Sequence, residues 1–351
     1  MNNNKKRIAV IFGGCSSEYG VSLQSAHSVI TNLDYKKYDI YTIGISNQGV
    51  WYLYQGNPSK ILDNTWMEDE STLEAIISPS RNQKGITVFA KERTYLIPID
   101  MAFPVLHGKN GEDGTIQGLL ELAGIPIVGC DMTSSAICMD KNIAHKLAED
   151  AGIRVPKSFA ATKFDDKEAF MKEIEALGFP MYVKPVKAGS SFGITKVHNR
   201  EELPQAIAEA FKFDDEVICE ENIEGFEVGC AIFGNDNLSI SPVDEIELFV
   251  DWFDYDEKYT QTKSKIHLPA RIDDEISEKV REMSGQIYKA LGCRGFARVD
   301  LFLTPNKEIV FNEVNTIPGF TTHSRYPNMV KGMGVDYPEL LDKLIELAEE
   351  N

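Results

Sequence analysis

The sequence predicts an α/β (α+β) fold with a Rossmann-like N-terminal domain and two further segments of comparable size. Two observations lead to this prediction. Apolar runs of strand length alternate with amphipathic helical patterns up to about residue 130, which is typical of βαβ units around a parallel sheet. The chain has 351 residues, which is long for a single core and favours two or three domains.

The first part of the chain contains strand and helix patterns in alternation. Residues 7–12 (RIAVIF) predict a buried strand, GGCSSE predicts a tight glycine turn, and the pattern from Ser22 (SLQSAHSVITNL) predicts a helix. Further strands are predicted at YDIYTIGIS, DMAFPVL and IPIVG, and a helix at GTIQGLLELAG. Residues 58–95 are polar and irregular, so we expect an insertion or a hairpin with loops there.

The rest of the chain alternates differently. A helix at SSAICMDKNIAHKLAEDAG precedes strands at KSFAATKF, PMYVKPV and GITKV and helices at KEAFMKEIEALG and EELPQAIAEAFK. From residue 216, strands at EVICEE, EVGCAIFG and SISPVDEIEL precede a polar segment, a long helix (DEISEKVREMSGQIYKALG), two strands and a final helix. We therefore expect domains at residues 1–131, 132–219 and 220–351.

The composition excludes several classes of protein. The net charge of −18 argues against nucleic-acid binding, because no basic stripe is available to neutralise phosphates. The six cysteines are scattered without a CxxC pair, which favours reduced thiols in a cytoplasmic protein. We expect neither a signal peptide nor a membrane span, because no apolar run is long enough and none is suitably placed.

A loop of small residues at 188–193 follows a strand that ends near Lys184. Small residues let backbone N–H groups approach phosphate oxygens, and a nearby lysine supplies a cation. An ordinary hairpin with a flexible tip explains the loop equally well. Together with Lys141 and the acids Glu220 and Glu227, the loop indicates a nucleotide pocket, although such acids alone are more often solvated.

The hairpin GFARVDLFLTPNKEIVFNEVN indicates a metal site. Strand alternation places Glu313 and Asn315 on one face, and antiparallel pairing can bring Asp300 opposite them. Three oxygen ligands suit Mg²⁺, which usually bridges carboxylates to phosphates. Arg298 shares the face of Asp300 and could stabilise a developing oxyanion. The alternative is a set of edge-strand acids, but the flanking apolar runs favour a buried strand.

Seven stretches resemble the ATP-grasp ligases of the D-alanine–D-alanine ligase family, in the family's order and over essentially the whole chain. They are GGCSSEYGVSLQSA, LHGKNGEDGTIQG, MDK, VKPVKAGSSFGITKV, YDEKY, RVD and NEVNTIPGFTTHS. The chain resembles the vancomycin-resistance ligases of the VanG type in particular. The resemblance implies a two-part ATP-grasp clamp after the Rossmann-like domain, a homodimer, and ATP with two Mg²⁺ ions, Mn²⁺ being an alternative.

The resemblance also implies roles for individual residues. The phosphates of ATP would contact Lys141, Lys184, Gly189, Ser190, Ser191 and Phe192. The nucleoside would contact Glu220, Ile223 and Glu227. The Mg²⁺ ligands would be Asp300, Glu313 and Asn315. The first D-alanine would be met by Glu18 and His107, and the carboxylate of the second substrate by Lys258 and Ser324. Lys258 would also reach the transferred phosphate. Glu18, Ser190 and Tyr259 would form a hydrogen-bonded trio that ties the N-terminal domain to two mobile loops, the lid being the segment around 245–268.

Two residues depart from the pattern of ordinary D-alanyl-D-alanine ligases. Arg325 stands where leucine is usual, and the lid residue Phe253 replaces a common tyrosine. A buried arginine needs a polar partner, which the hydroxyl of D-serine could supply, and Asp244 or Glu245 could orient the guanidinium. We therefore expect a D-alanine–D-serine ligase. The alternatives are a housekeeping D-alanine–D-alanine ligase, a different ATP-grasp carboxylate–amine ligase and an inactive nucleotide-binding regulator. Arg325 alone could be a surface residue in a turn.

Overall fold

The computed structural model describes residues 5–189, 192–248 and 264–350, and its strands form three sheets. The strands are β1 (Lys6–Gly13), β2 (Tyr38–Ile45), β3 (Trp51–Tyr54), β4 (Leu73–Ile77), β5 (Gly85–Phe89), β6 (Thr94–Pro98), β7 (Met101–Val105), β8 (Ser158–Thr162), β9 (Met181–Pro185), β10 (Thr195–Val197), β11 (Glu216–Glu221), β12 (Phe226–Phe233), β13 (Ser239–Ile240), β14 (Asp244–Leu248), β15 (Ser264–His267), β16 (Phe296–Leu303) and β17 (Ile309–Asn315).

Helices cover these sheets. They are α1 (Tyr19–Asn32), α2 (Ser59–Leu62), α3 (Thr115–Ala123), α4 (Met132–Met139), α5 (Lys141–Asp150), α6 (Lys167–Glu175), α7 (Leu203–Ala210), α8 (Asp274–Ala290), α9 (Arg325–Lys331) and α10 (Tyr337–Leu347), with short 3₁₀ turns at Trp66–Glu68 and Arg200–Glu202. None of these described helices has both the length and the apolar character needed to cross a membrane.

The first sheet has the strand order β6-β5-β4-β3-β2-β1-β7. Strands β2, β1 and β7 run parallel, which confirms the Rossmann-like centre. The prediction of a parallel sheet is wrong for the outer half, where β3 to β6 form an antiparallel meander. The expected irregular insertion at 58–95 therefore contains three strands. The strand expected at IPIVG is reduced to one bridge between Ala102 and Ile127.

The turn after β1 requires glycine. Gly13 and Gly14 have φ angles of 89° and 100°, a left-handed conformation that favours glycine. A Cβ atom on Gly13 would also lie 2.1 Å from the carbonyl oxygen of Ile45. This turn directs the chain from the buried strand to Glu18, which immediately precedes α1.

The second sheet is antiparallel in the order β10-β9-β11-β8. The single helix predicted before it is wrong, because the chain breaks into α4 and α5 at Asp140. Asp140 has extended backbone angles, and its carboxylate accepts a hydrogen bond from the backbone N–H of Ile143 at 3.0 Å. Aspartate is a favourable residue for this N-cap position. The break places Lys141 at the first turn of α5.

The third sheet has the order β15-β14-β12-β16-β17, and β13 pairs with β12. The predicted β16–β17 hairpin is confirmed. Asp300 pairs with Glu313 and Arg298 with Asn315, and the register shifts after Asp300. Helix α8 packs against one face of this sheet, where Val280 and Ile287 are buried with strand residues in one core.

An aromatic cluster joins the first and third sheets. Phe103 of β7 and Phe296 of β16 both pack on Phe320, with ring centroids 6.0 and 5.3 Å away. Tyr326 completes the cluster, and all four residues belong to one buried core. Edge-to-face aromatic pairs of this kind stabilise beyond the area they bury. The segment after β17 is therefore anchored to the N-terminal sheet.

Candidate active site

A cleft of about 1410 Å³ is lined by strand residues of the second and third sheets, by their connections, and by helix and loop residues of the N-terminal part. It collects most of the predicted site residues. Those that line it are Glu18, His107, Lys141, Lys184, Gly189, Glu220, Ile223, Glu227, Arg298, Asp300, Glu313, Asn315, Ser324 and Arg325.

The other predicted site residues are distributed differently. Phe192 packs against Phe213, with ring centroids 6.2 Å apart. Asp244 is fully buried behind the cleft wall. The remaining five lie outside the described residues, and the structure says nothing about their roles: Ser190, Ser191, Phe253, Lys258 and Tyr259.

Two carboxylates face each other on the floor of the cleft. Asp300 is 1% exposed and sits directly opposite Glu313 in the strand register. Arg298 donates from Nε and Nη2 to both oxygens of Asp300, at 2.7 to 3.0 Å. The amide nitrogen of Asn315 donates to Asp300 Oδ2 at 2.9 Å. The expectation that these residues converge on one face is thus met.

The donor set fits a hard divalent cation. Like charges at directly opposed strand positions destabilise a sheet, so a cation between Asp300 and Glu313 would remove an existing repulsion. Within the described residues, no three His, Cys, Asp or Glu side chains form a group that could hold a metal. An ion here would therefore depend on two carboxylates, the amide oxygen of Asn315 and ligand phosphates. That combination is usual for Mg²⁺.

Two lysines reach the cleft from the second sheet and its preceding helix. Lys184 Nζ lies 2.5 Å from Glu220 Oε2; the Glu220 side chain is buried, and that of Lys184 is 11% exposed. Lys141 Nζ donates to the carbonyl of Ala188 at 2.8 Å, at the start of the small-residue loop. Together they place two positive charges beside the loop that the sequence predicts to bind phosphate.

The small-residue loop approaches the N-terminal domain. Glu18 is 6% exposed, and a Cβ atom on Gly189 would lie 3.4 Å from its Oε2. A side chain at position 189 would therefore contact this carboxylate. Gly189 therefore lies beside Glu18 in the cleft, and Glu18 is the residue expected to hold an ammonium group.

His107 connects the N-terminal domain to the segment after β17. Its Nδ1 donates to the carbonyl of Ile317 at 2.9 Å, and its Nε2 accepts from Ser25 Oγ at 3.0 Å. Ser25 Oγ accepts in turn from the backbone N–H of Phe320 at 3.2 Å. Burial lowers the pKa of His107 to about 4, so the imidazole is neutral near pH 7. Both ring nitrogens have protein partners, so His107 helps to hold residues 317–320 in place.

Glu112 is a cleft residue that sequence reasoning did not single out. Its carboxylate accepts from the backbone N–H groups of Gly108 at 2.7 Å and of Ile317 at 3.2 Å. Burial, and then the nearby carboxylate of Glu18, raise the pKa of Glu112. Glu112 lies among glycines in the sequence, a pattern that is typical of a solvated loop, so it did not indicate a buried acid. The available signal was that Glu112 lies five residues after His107. His107 and Glu112 thus hold both backbone polar groups of Ile317.

Arg325 begins α9 and is 10% exposed. Its Nε and Nη2 donate to the two oxygens of Asp244 at 2.9 and 2.8 Å, and Nη1 donates to Glu227 at 2.7 Å. Of the two acids proposed to orient it, Asp244 does so, whereas Glu245 pairs with Arg271 at 2.6 Å. The surface alternative is wrong, because Arg325 lies in the cleft wall.

Ser324 precedes Arg325 at the start of α9. Its hydroxyl accepts from the backbone N–H of Thr321 at 3.0 Å and shares a hydrogen bond with Thr321 Oγ1 at 2.8 Å. Gly319 lies close by, since a Cβ atom there would be 3.1 Å from Ser324 Oγ. The hydroxyl is thus fixed at the cleft surface, where a carboxylate could accept from it.

Both halves of this architecture match one family. The family description "D-ala D-ala ligase N-terminus" matches residues 7–130, and "D-ala D-ala ligase C-terminus" matches residues 147–346. The chain belongs to the D-alanine–D-alanine ligase family. The solved structures of that family are ATP-grasp proteins, so the predicted ATP-grasp fold is confirmed.

Relatives match over nearly their whole length. A D-alanine–D-alanine ligase of Thermoanaerobacter sp. (strain X514) is 46% identical over 351 residues, which cover 99% of this chain and 97% of the relative. The vancomycin B-type resistance protein VanB of Enterococcus faecalis is 47% identical over 353 residues and 99% of each chain. The solved VanG D-Ala:D-Ser ligase from Enterococcus faecalis shares 58% identity and a TM-score of 0.92, covering 98% of this chain and 100% of that one.

The buried neutral His107 predicts a loss of stability in acid. Its folded pKa of about 4 lies below the unfolded value of 6.5, so the unfolded chain takes up the proton first as the pH falls. Stability from this residue is complete above pH 6.5 and is lost towards pH 4, by roughly 3 kcal/mol. We expect His107→Gln, which can keep both hydrogen bonds, to flatten the fall in unfolding free energy between pH 7 and 4.

The exposed His198 offers a matched control. His198→Gln should keep the acid dependence of the parent protein. Equal slopes in the parent and His107→Gln, measured by urea unfolding at several pH values, would contradict the assignment.

Proposed function

We propose that this protein is an ATP-dependent ligase that joins D-alanine to D-serine through a D-alanyl phosphate. The product would enter peptidoglycan precursors that confer vancomycin resistance, in the cytoplasm where ATP is available. Family membership supports the ligase reaction. The observation that carries D-serine is the buried arginine in the cleft wall, together with the 58% identity to a VanG D-Ala:D-Ser ligase.

The first step would activate a carboxylate, which is a poor electrophile. Lys141 and Lys184 would neutralise the phosphates of ATP while the γ-phosphoryl group passes to the carboxylate of D-alanine. Glu18 would hold the ammonium group of that D-alanine near the loop at Gly189. Mg²⁺ held by Asp300, Glu313 and Asn315 would supply charge neutralisation at the transferred phosphate.

In the second step, the neutral amine of the second amino acid would attack the acyl carbon. The C–N bond would form, the amine proton would be lost, and the C–O bond to the phosphate would break to release inorganic phosphate. Arg298 lies on the cleft floor with its side chain 14% exposed, where its guanidinium could stabilise the oxyanion of the tetrahedral intermediate. The hydroxyl of Ser324 would bind the carboxylate of the incoming amino acid. Acyl phosphates hydrolyse, so the segment between β14 and β15 is proposed as the lid that excludes water.

Arg325 supports selection of a hydroxyl group. A guanidinium has five N–H groups; the hydrogen bonds to Asp244 and Glu227 use three of them, and Nη2 also lies 3.5 Å from Asp300 Oδ1. The guanidinium can therefore donate to a substrate hydroxyl while it keeps both acids. A pocket that bonds a hydroxyl discriminates against the analogue without it, because a buried polar group would lose its partner.

A second candidate function is a D-alanine–D-alanine ligase. Relatives with that name are 46% identical to this chain over nearly its whole length, so the comparison alone favours neither substrate. The identity of the second amino acid is therefore the property to test by experiment. An inactive nucleotide-binding regulator receives less support, because the acids and arginines of the cleft floor are all present.

The metal assignment predicts that Glu313→Ala and Asn315→Ala abolish turnover. Loss of one electrostatic contact to a reacting group costs about 10²- to 10³-fold, and each variant removes a ligand of the ion. Asp300→Ala should retain partial nucleotide binding. Phosphate release against Mg²⁺ concentration measures this, with Glu308→Ala on the exposed hairpin turn as control. Parental turnover in both the 313 and the 315 variant would remove the metal role.

The arginine predicts that D-serine exceeds D-alanine as second substrate and that Arg325→Leu reverses the order. Losing a hydrogen bond to a charged group costs about 1.5–3 kcal/mol, or roughly ten- to a hundred-fold in selectivity. Because Arg325→Leu alone strands the fully buried Asp244, we expect Arg325→Leu/Asp244→Asn to fold better and to show the same reversal.

The measurement is kcat/KM for both amino acids in each protein, with the KM of the first D-alanine as an internal reference. Arg7→Leu is the matched control, because Arg7 makes a comparable two-point pair with Asp100 away from the cleft. A parental preference for D-alanine, or an unchanged order in both variants, would disprove the role of Arg325.

The lid sequence predicts peptide rather than ester synthesis. D-lactate offers a weaker nucleophile without an ammonium group, and the family's D-lactate ligases carry a histidine-bearing loop where this chain has Lys258-Tyr259. We expect D-alanyl-D-serine to dominate in a mixture of D-serine and D-lactate at pH 7, analysed by mass spectrometry. Efficient D-alanyl-D-lactate formation would be the contrary result.

A further inference from the structure

Three cysteines that have no place in the proposed reaction lie together at one side of the cleft. Cys130 precedes α4, Cys138 lies in the last turn of α4, and Cys293 follows α8. The sulfur atoms of Cys138 and Cys293 are 3.6 Å apart, and Cys130 also contacts Cys293. All three residues are buried, at 2 to 6% exposure, and are free thiols. The fold therefore brings together thiols that are scattered along the sequence.

Cys138 is the thiol that a small oxidant in the cleft can reach. Among these three described residues, only Cys138 lines the cleft. Cys130 Sγ lies 3.2 and 3.5 Å from the carbonyl oxygens of Arg294 and Phe296, which can accept its one hydrogen. Its contact with Cys293, and then burial, raise the pKa of Cys130 well above the usual value, so it is a poor source of reactive thiolate. We therefore expect Cys138 to react first.

Cys293 is placed to trap an oxidised Cys138. Contact with Cys130 lowers the pKa of Cys293, but contact with Cys138 and burial outweigh this effect, so Cys293 stays protonated until its partner is oxidised. A disulfide bond is about 2.05 Å long, so the two sulfur atoms must approach by roughly 1.5 Å. Cys138 lies two residues before the helix break at Asp140, and Cys293 follows Gly292, where an added Cβ would meet no atom within 4 Å. The approach can thus occur without opening the interior of α4 or α8.

The helix break after Cys138 is connected to the small-residue loop. Lys141 Nζ donates to the carbonyl of Ala188 at 2.8 Å, and Asp140 Oδ2 lies 3.2 Å from Lys187 Nζ. A displacement of Cys138 would therefore move Lys141 relative to the loop that is proposed to hold phosphate. A misplacement of about 1 Å in a positioned group can cost about 10²-fold in rate. The state of the thiols can thus affect the phosphate end of the cleft.

We propose that Cys138 and Cys293 are a redox-sensitive pair, which hydrogen peroxide converts into a disulfide that weakens nucleotide binding. The sulfur of Cys138 attacks one peroxide oxygen, the O–O bond breaks, and water leaves while Cys138 becomes a sulfenic acid. The sulfur of Cys293 then attacks that of Cys138, the S–O bond breaks, and a second water leaves as the S–S bond forms. The two thiol protons end in the two waters, and peroxide takes up two electrons. The effect on nucleotide rests on the ligase function proposed above, whereas formation of the disulfide does not.

Peptide mapping by mass spectrometry tests the pairing. The reduced protein, treated with a small excess of hydrogen peroxide and then alkylated after unfolding, should contain a Cys138–Cys293 linkage that dithiothreitol removes. Three results would overturn the proposal: no linkage, a Cys130–Cys293 linkage in its place, or only irreversible sulfinic acid at Cys138.

Phosphate release with ATP and D-alanine measures the effect on nucleotide. Oxidation of the parent should raise the KM for ATP about tenfold or more, and dithiothreitol should restore it. Cys293→Ala and Cys138→Ala should each keep their KM for ATP after peroxide, so the test survives if one of them fails to fold. Cys15→Ser, which removes an exposed thiol, is the matched control and should respond to peroxide as the parent does. An unchanged KM in parent protein that carries the linkage would overturn the proposed effect. If the reduced parent releases no phosphate, the ligase function fails instead, and the mapping still decides the disulfide.

Discussion

The pairing of Asp300 with Glu313 is the constraint on which the cleft depends. Strand register places two carboxylates directly opposite each other, and Asp300 is almost completely buried. Arg298 meets this charge from the same strand, and Arg325 approaches Asp300 to 3.5 Å while Asp244 holds it from behind. Removing one member would leave another buried without a partner, which is strongly destabilising. The floor and the wall of the cleft are therefore constrained as one set of charges.

The N-terminal domain helps to fix the positions of these charged residues. Phe103 packs on Phe320, and His107 donates to the carbonyl of Ile317, so the segment after β17 is held by apolar and by polar contacts. Because Asn315 lies two residues before Ile317, these contacts also limit where the end of β17, the strand proposed to bind Mg²⁺, can lie. An enzyme of this kind must hold acceptor groups to within a fraction of an ångström, and anchoring from a second domain supplies that rigidity.

The local sequence pattern predicted the strands and helices that carry most of the site residues. Contacts between segments that are distant in the sequence could be seen only in the fold. The β16–β17 hairpin was predictable because its alternation and its turn lie within one short segment. The break at Asp140 was not, because the residues on both sides have helical patterns and only the N-cap contact reveals it. Likewise, the sequence offered Asp244 or Glu245 as the partner of Arg325. They are adjacent on β14 and point to opposite faces, so only the fold shows that Glu245 is taken by Arg271.

The cleft contains two kinds of ion pair, a rigid arginine pair and an exchangeable lysine pair. Each kind suits the ligand that is proposed to bind beside it. Arg325 bonds Asp244 through Nε and Nη2 and Glu227 through Nη1, so the proposed hydroxyl contact would use an N–H group that these pairs leave over. A selective wall benefits from this rigidity, since discrimination depends on a donor that does not move. Lys184 instead carries one charge on a flexible stem, and any phosphate it binds competes with Glu220. Nucleotide must enter and leave in every cycle. A pair that can be exchanged in this way suits a ligand that must be released again.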